Sequence, residues 1–164
     1  MAGDALELVT TSASDTERVA AALAAELRAG DVLALHGELG GGKTCFVRGL
    51  ARGLGVVGDV SSPTFTLMQT YPGRIPLYHL DAWMQARGEA FLSDGGAEWL
   101  TGEGVAAVEW ADRVKEWLPA ERFEVSFGHL GGERRRLALR WTGAGERLAA
   151  VRRAQAALES DQKR

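Results

Sequence analysis

The fold this sequence predicts is α/β, a mixed parallel and antiparallel sheet flanked by helices. Three observations predict it. A short apolar run, Val32-Leu33-Ala34-Leu35, leads into the glycine-rich stretch Gly37-Glu38-Leu39-Gly40-Gly41-Gly42-Lys43-Thr44 and then into a helical pattern ending near Gly55. A second apolar run, 105–108, ends on the carboxylate Glu109. Two further stretches alternate apolar and polar residues around turns, as β-hairpins do, which argues against an all-parallel layout.

In chain order, residues 5–12 alternate well enough for a first strand. Ser14-Asp15-Thr16-Glu17 reads as a capping box opening a helix with Val19, Leu23 and Leu27 on its apolar side, stopped by Gly30. The glycine-rich unit follows. Phe65, Leu67, Gln69 and Tyr71, the turn Pro72-Gly73 and the return run Ile75–Leu80 form the first hairpin, with Pro76 suggesting an edge strand. Residues 86–104 are weakly patterned. After the apolar run at 105–108, a short helix reaches Pro119. The second hairpin pairs Phe123-Val125-Phe127 with Leu137-Leu139-Trp141 around Gly131-Gly132. A helix with Leu148, Val151 and Leu158 on one face closes the chain.

The 164 residues suit a single domain, 1–164, in which the helix at roughly 144–164 is peripheral. Hydrophobic content of 46% and charged content of 25% are those of an ordinary globule. A net charge of −3 and a pI near 5.7 exclude a protein that holds nucleic acid by bulk electrostatics. Arg134-Arg135-Arg136 and Arg152-Arg153 read as solvated faces on this acidic chain. The single cysteine, Cys45, forbids an intramolecular disulfide, and its place after Thr44 reads as a small packed side chain. The first residues lack a signal-peptide profile and no apolar run has membrane length, so the cytoplasm is the expected compartment.

The stretch Gly37–Thr44 fits G-x-x-x-x-G-K-S/T, a loop whose backbone amides cradle phosphates at a helix N-terminus. Lys43, one of only three lysines, adds a cation for the terminal phosphates, and the Thr44 hydroxyl suits magnesium. The cradle is expected from Glu38, Leu39, Gly40, Gly41, Gly42, Lys43, Thr44 and Cys45. Such a loop needs an acidic group at the end of a neighbouring strand, for the metal or its water. Glu109 is best placed, and Asp81 is the second candidate. Thr64, in Ser61-Ser62-Pro63-Thr64, suits a switch that reports the γ-phosphate. His36 and His79 read as packed or backbone-bonded rather than catalytic, and the five tryptophans as mostly core, with Trp110 close to the nucleotide. The chain contains no asparagine and no D-x-x-G, so the guanine-reading N-K-x-D is absent and ATP is the expected nucleotide.

These residues resemble a known family, the bacterial tRNA threonylcarbamoyladenosine biosynthesis ATPases (TsaE, formerly YjeE). Gly37–Thr44 resembles its G-D/E-L-G-A/G-G-K-T loop, and Val60–Leu67 with Tyr71 resembles its S-P-T-F/Y block. His79-Leu80-Asp81 resembles its H-x-D, and Val108-Glu109-Trp110 its I/V-E-W. The resemblance covers residues 5 to about 120 in order and spacing, and the tail loosely. It implies a P-loop NTPase fold with a mixed sheet and a weak, partner-dependent ATPase using ATP and magnesium. It also implies docking on the threonylcarbamoyl transferase and its partner subunit, with tRNA touched only indirectly. By position, Lys43 contacts the phosphates, Thr44 ligates magnesium, Glu109 serves the metal or its water, Asp81 is a further metal or water partner, and Thr64 is the switch. The segment with Ser12 and Thr16 borders the adenine, as does Arg135 from the tail. Where the family reads D-L-Y-R, this chain has Asp81-Ala82-Trp83-Met84, so no role of that arginine carries over. Ala111 replaces a frequent proline after E-W. Two other readings share the loop: a small-molecule kinase with Arg134–Arg136 on a lid, and a non-catalytic ATP-sensing adaptor.

Overall fold

The computed structural model describes residues 3–37, 42–61 and 67–164. Seven strands form one sheet: β1 (Ala5–Thr10), β2 (Val32–His36), β3 (Met68–Tyr71), β4 (Leu77–Asp81), β5 (Val105–Glu109), β6 (Phe123–His129) and β7 (Arg135–Trp141). Their spatial order is β1-β7-β6-β2-β5-β4-β3. The pairs β6/β2, β2/β5 and β5/β4 are parallel, and β1/β7, β7/β6 and β4/β3 are antiparallel. Both hairpins and the mixed sheet are therefore present as the alternation predicts.

The two halves of the sheet differ as their sequences do. Strands β4 and β5 are buried at every position, because helices cover both faces; β5 is apolar up to its final carboxylate, while β4 carries Tyr78 and His79 before Asp81. Strands β1, β6 and β7 alternate buried and accessible residues, since only one face is packed. On that packed face lie α1 (Ala13–Ala24), α2 (Lys43–Gly53) and α4 (Ala149–Gln162), over a core that includes Leu33, Leu35, Phe46, Leu50, Phe123 and Leu137. On the other face α3 (Gln85–Ser93) and two 3₁₀ segments, Gly96–Thr101 and Ala111–Trp117, cover Val32, Ala34, Leu80 and Val108. The weakly patterned stretch is thus helical in short pieces. No helix among the described residues is long and apolar enough to cross a membrane.

Helices α1 and α2 cross at Gly49. A Cβ there would sit 2.4 Å from the Glu17 carbonyl oxygen and 2.7 Å from the Ala20 Cβ, so only glycine allows this approach. That contact fixes α2 closely against α1.

Several local expectations are corrected. The α1 cap is Ser12, whose Oγ accepts from the Asp15 amide at 3.1 Å, two residues before the expected capping box. The helix stops at Ala24, and Gly30 instead takes a left-handed turn (φ 93°) just ahead of β2. Pro76 does not mark an edge. It precedes β4, which is paired on both sides, and its carbonyl accepts from the Val105 amide at 2.8 Å. The edges are β3 and β1, and α4 shields β1 through Arg152 on the Ala5 carbonyl (3.0 Å) and Gln155 on the Glu7 carbonyl (3.2 Å). Of the tryptophans, Trp141 is buried, but Trp83, Trp99 and Trp117 are exposed.

The C-terminal helix is fastened from the far end of the chain. The Asp4 carboxylate accepts from the Leu148 and Arg147 amides at 3.0 and 3.2 Å, and pairs with Arg152. It anchors the two residues that lead into α4 beside the start of β1. Burial pushes the Asp4 carboxyl up, but the Arg152 contact and the two amides outweigh it and hold it below 3.8, its ordinary value. A depressed carboxylate stabilises the fold above its unfolded pKa, and that contribution is lost as pH falls through the folded one. Asp4→Asn is expected to cost about 1–2 kcal/mol at pH 7. In urea unfolding, the gap between wild type and variant should close as pH drops below about 4. A gap that persists unchanged to pH 3 contradicts the assignment.

Candidate nucleotide site

The site lies where the carboxyl ends of the parallel strands meet the start of α2, the position at which open α/β sheets bind ligands. β2 ends at His36, and Gly37 begins the loop that leads to α2. Gly42 is the N-cap of α2 in a left-handed conformation (φ 103°) that a side chain would resist. Among the described residues no side chain is seen to cap this helix, and its first turn carries no acidic residue. Its leading amides and positive end are therefore available to an anion.

Lys43 opens α2 and is only 5% exposed. Its Nζ donates to the Gly37 carbonyl at 2.5 Å and sits 3.5 Å from the centroid of the Trp110 ring. Burial pushes the Lys43 ammonium below its ordinary value, while Glu109, Asp81 and Asp112 pull it back up and Arg113 opposes them. The structure thus brings Lys43, Glu109 and Asp81 into one electrostatic group. Parallel pairing does this, because Asp81 and Glu109 are register partners at the ends of β4 and β5, and Leu35 of β2 faces Glu109. Both carboxylates are nearly fully buried. One Asp81 oxygen accepts from the Trp83 amide at 2.9 Å, turning the chain after β4.

Trp110 has positive φ (57°), costly for a bulky residue. Packing holds it there. Trp83 meets it edge to face with centroids 4.6 Å apart, and the Arg113 guanidinium lies 4.7 Å from the Trp83 ring and 4.6 Å from the Trp110 ring. Arg113 also donates to the Trp83 carbonyl.

His79 is completely buried, and its Nε2 lies 2.5 Å from a Glu109 oxygen. His36 likewise contacts Glu124, which Arg122 also holds. Burial raises the Glu124 carboxyl, but His36 and Arg122 outweigh it and leave it lowered. Both histidines are bonded to carboxylates rather than simply packed or bonded to backbone, which corrects the sequence reading.

The other expected residues divide. Thr44 and Cys45 occupy the first turn of α2, half-buried, and Cys45 Sγ donates to the Ala13 carbonyl at 3.3 Å. Burial pushes the Cys45 thiol up, and Glu17 adds to this, which fits an unreactive thiol. A cavity of about 120 Å³ beside this turn is lined by Ala13, Thr16, Gly42, Cys45, Glu133 and Arg135, so the start of α1 and the start of β7 do meet the loop helix. Ser12 caps α1, and the Thr16 hydroxyl is buried against that of Thr10 at 2.7 Å. Glu38, Leu39, Gly40, Gly41 and Thr64 lie outside the described residues. A larger cavity, about 700 Å³, lies over the uncovered face of β1, β7 and β6, and none of the expected site residues lines it.

The donor set fits magnesium. It offers carboxylates and a hydroxyl, hard oxygen ligands, beside a lysine placed for phosphate. Among the described residues no group of three or more His, Cys, Asp and Glu could hold a metal by itself. An ion shared with phosphate oxygens is what such a set suits.

Residues 10–137 match the family of the threonylcarbamoyl adenosine biosynthesis protein TsaE. This chain belongs to that family. It is 43% identical over 121 residues to the tRNA threonylcarbamoyladenosine biosynthesis protein TsaE of Treponema pallidum, covering 74% of this chain and 90% of the relative. The corresponding Bacillus subtilis protein is 40% identical over 140 residues, covering 84% and 85%. The crystal structure of Bacillus subtilis YdiB superposes with a TM-score of 0.75 at 32% identity, over 99% of this chain and 97% of that one. The P-loop NTPase fold is thereby established for a TsaE-family chain whose strand ends carry the H-x-D and V-E-W carboxylates.

The sequence missed the Trp83–Arg113–Trp110 stack and the His79–Glu109 contact. The first joins the ends of two strands distant in sequence and has no linear signature. The second was legible in principle, since His79 and Asp81 are two apart on one strand and share a face.

A phosphate that draws the Lys43 ammonium away from the Trp110 ring must change that ring's surroundings. Titrating ADP or ATP should therefore alter tryptophan fluorescence, and Trp110→Phe should remove the larger part of the change. An undiminished response in that variant contradicts the coupling.

Proposed function

We propose that this protein binds ATP with magnesium and hydrolyses it slowly as a component of the machinery that makes threonylcarbamoyladenosine in tRNA. In this reading it acts with the threonylcarbamoyl transferase and its partner subunit and touches tRNA at most indirectly. Membership in the TsaE family supports the pathway. The observation that carries the ATP reading is the buried Lys43 ammonium, set at an uncapped helix N-terminus and facing Glu109 and Asp81.

Each residue then has a role. The Gly42–Cys45 amides and Lys43 receive the phosphates, with the segment Glu38–Gly41 completing the cradle. Thr44, Glu109 and Asp81 would hold magnesium or its water shell, and the ion would supply charge neutralisation for the phosphates. Hydrolysis needs a water oxygen to bond to the γ-phosphorus while the bond to the bridging oxygen breaks, giving ADP and phosphate. In this reading Glu109 orients that water or the metal, and Thr64 reports the γ-phosphate. Arg135, Ser12 and Thr16 border the adenine end.

Two variants test this reading. Lys43→Ala should abolish ATP binding and, in a mixture of the partner subunits, tRNA modification. Glu109→Ala should still bind ATP while turnover falls at least about 100-fold. Full tRNA modification by Glu109→Ala without turnover would instead make the protein an ATP-sensing adaptor.

A further inference from the structure

Within the proposed ATP site one buried group has no assigned task. His79 sits mid-strand in β4 with no accessible surface, and its Nδ1 has no hydrogen-bond partner among the described residues. Its Nε2 is 2.5 Å from Glu109 Oε2. A buried polar ring kept where an apolar side chain would pack more cheaply calls for an explanation.

Register supplies the geometry. Within β4 and β5, His79 pairs with Ala107 and Asp81 pairs with Glu109. His79, Asp81 and Glu109 therefore share one face, and His79 is the diagonal neighbour of Glu109. The register partner of His79 is an alanine, so no bulky side chain stands between the imidazole and the carboxylate. The carboxylate can only accept, so Nε2 carries the hydrogen.

We propose that His79 is a positioning residue for ATP hydrolysis: as its Nε2–H tautomer it ties down Oε2 of Glu109 and leaves Oε1 to face the magnesium-bound nucleotide. It touches neither nucleotide nor metal. It acts by fixing the rotamer of the carboxylate that does, in the manner of outer partners that orient ligands around metal sites. The inference rests on the hydrolysis reading above.

The test is a double-mutant cycle with His79→Leu, His79→Gln and Glu109→Ala in the full chain, with folding checked by circular dichroism. His79→Leu should lower kcat about 10- to 100-fold and leave KM for ATP within about threefold. His79→Gln, which retains an N–H at a similar reach, should recover part of that loss. Added to Glu109→Ala, His79→Leu should cause no further loss, because a residue acting only through Glu109 has nothing left to act on. Two readouts are independent of turnover. Nitrogen-15 NMR of the free wild-type protein should show the hydrogen on Nε2 of His79, and His79→Leu should raise the magnesium concentration needed for ADP binding. Wild-type kcat in His79→Leu, a loss that adds to that of Glu109→Ala, or an Nδ1–H tautomer each overturns the proposal. If wild type neither binds nor hydrolyses ATP, the functional reading falls and takes this role with it, while the tautomer spectrum still reports the contact itself.

Discussion

The ammonium of Lys43 constrains everything around it. A charge this well buried is costly unless neighbours compensate it. Here a carbonyl, an indole face and nearby carboxylates share the task. Burial still prevails and lowers the pKa, so the pocket retains a demand for negative charge. A nucleotide phosphate meets that demand, and the uncapped amides of α2 point to the same place.

The sheet is arranged to make this group possible. Parallel pairing puts the ends of β2, β5 and β4 side by side, so residues 35, 109 and 81 come into register without any loop having to position them. The Gly49 crossing packs α2 closely against α1, and Lys43 at the start of α2 lies near those ends. The antiparallel half contributes differently. β7 sends Arg135 toward the loop helix, and the Asp4 carboxylate ties α4 to the start of β1. Trp110, forced into a left-handed conformation directly after Glu109, turns the chain so that its ring lies under the lysine. Backbone strain of this kind tends to be stored beside functional sites, and here it adjoins the buried strand-end carboxylate Glu109.

Much of this was legible in the sequence. The apolar runs at 32–35 and 105–108 marked buried parallel strands, and alternation marked both hairpins, because burial on two faces and burial on one leave different patterns. The loop motif located Lys43, and the need for a strand-end carboxylate selected Glu109. What escaped was set by contacts between distant segments. Ser12 rather than the capping box starts α1, Asp4 anchors a helix from the other end of the chain, and Trp83 joins Trp110 only because β4 lies beside β5. The 3₁₀ segment Gly96–Thr101 was unreadable for a local reason, since its short turns never establish the 3.6-residue period that marks a helix, whereas Ala111–Trp117 was read as the short helix before Pro119. The carboxylate partners of the two histidines were not legible, because a lone histidine carries no mark of its partner until the strands are paired.

The central claim is that the Lys43 ammonium, with the amides of the first turn of α2, grips the phosphates of ATP. Isothermal titration calorimetry of magnesium–ATP into the purified chain and into Lys43→Ala tests it most directly. Wild type should give a saturable heat at one nucleotide per chain, and a Lys43→Ala protein with an unchanged circular dichroism spectrum should give none. Equal binding by the two proteins, or no heat from folded wild type, would contradict it.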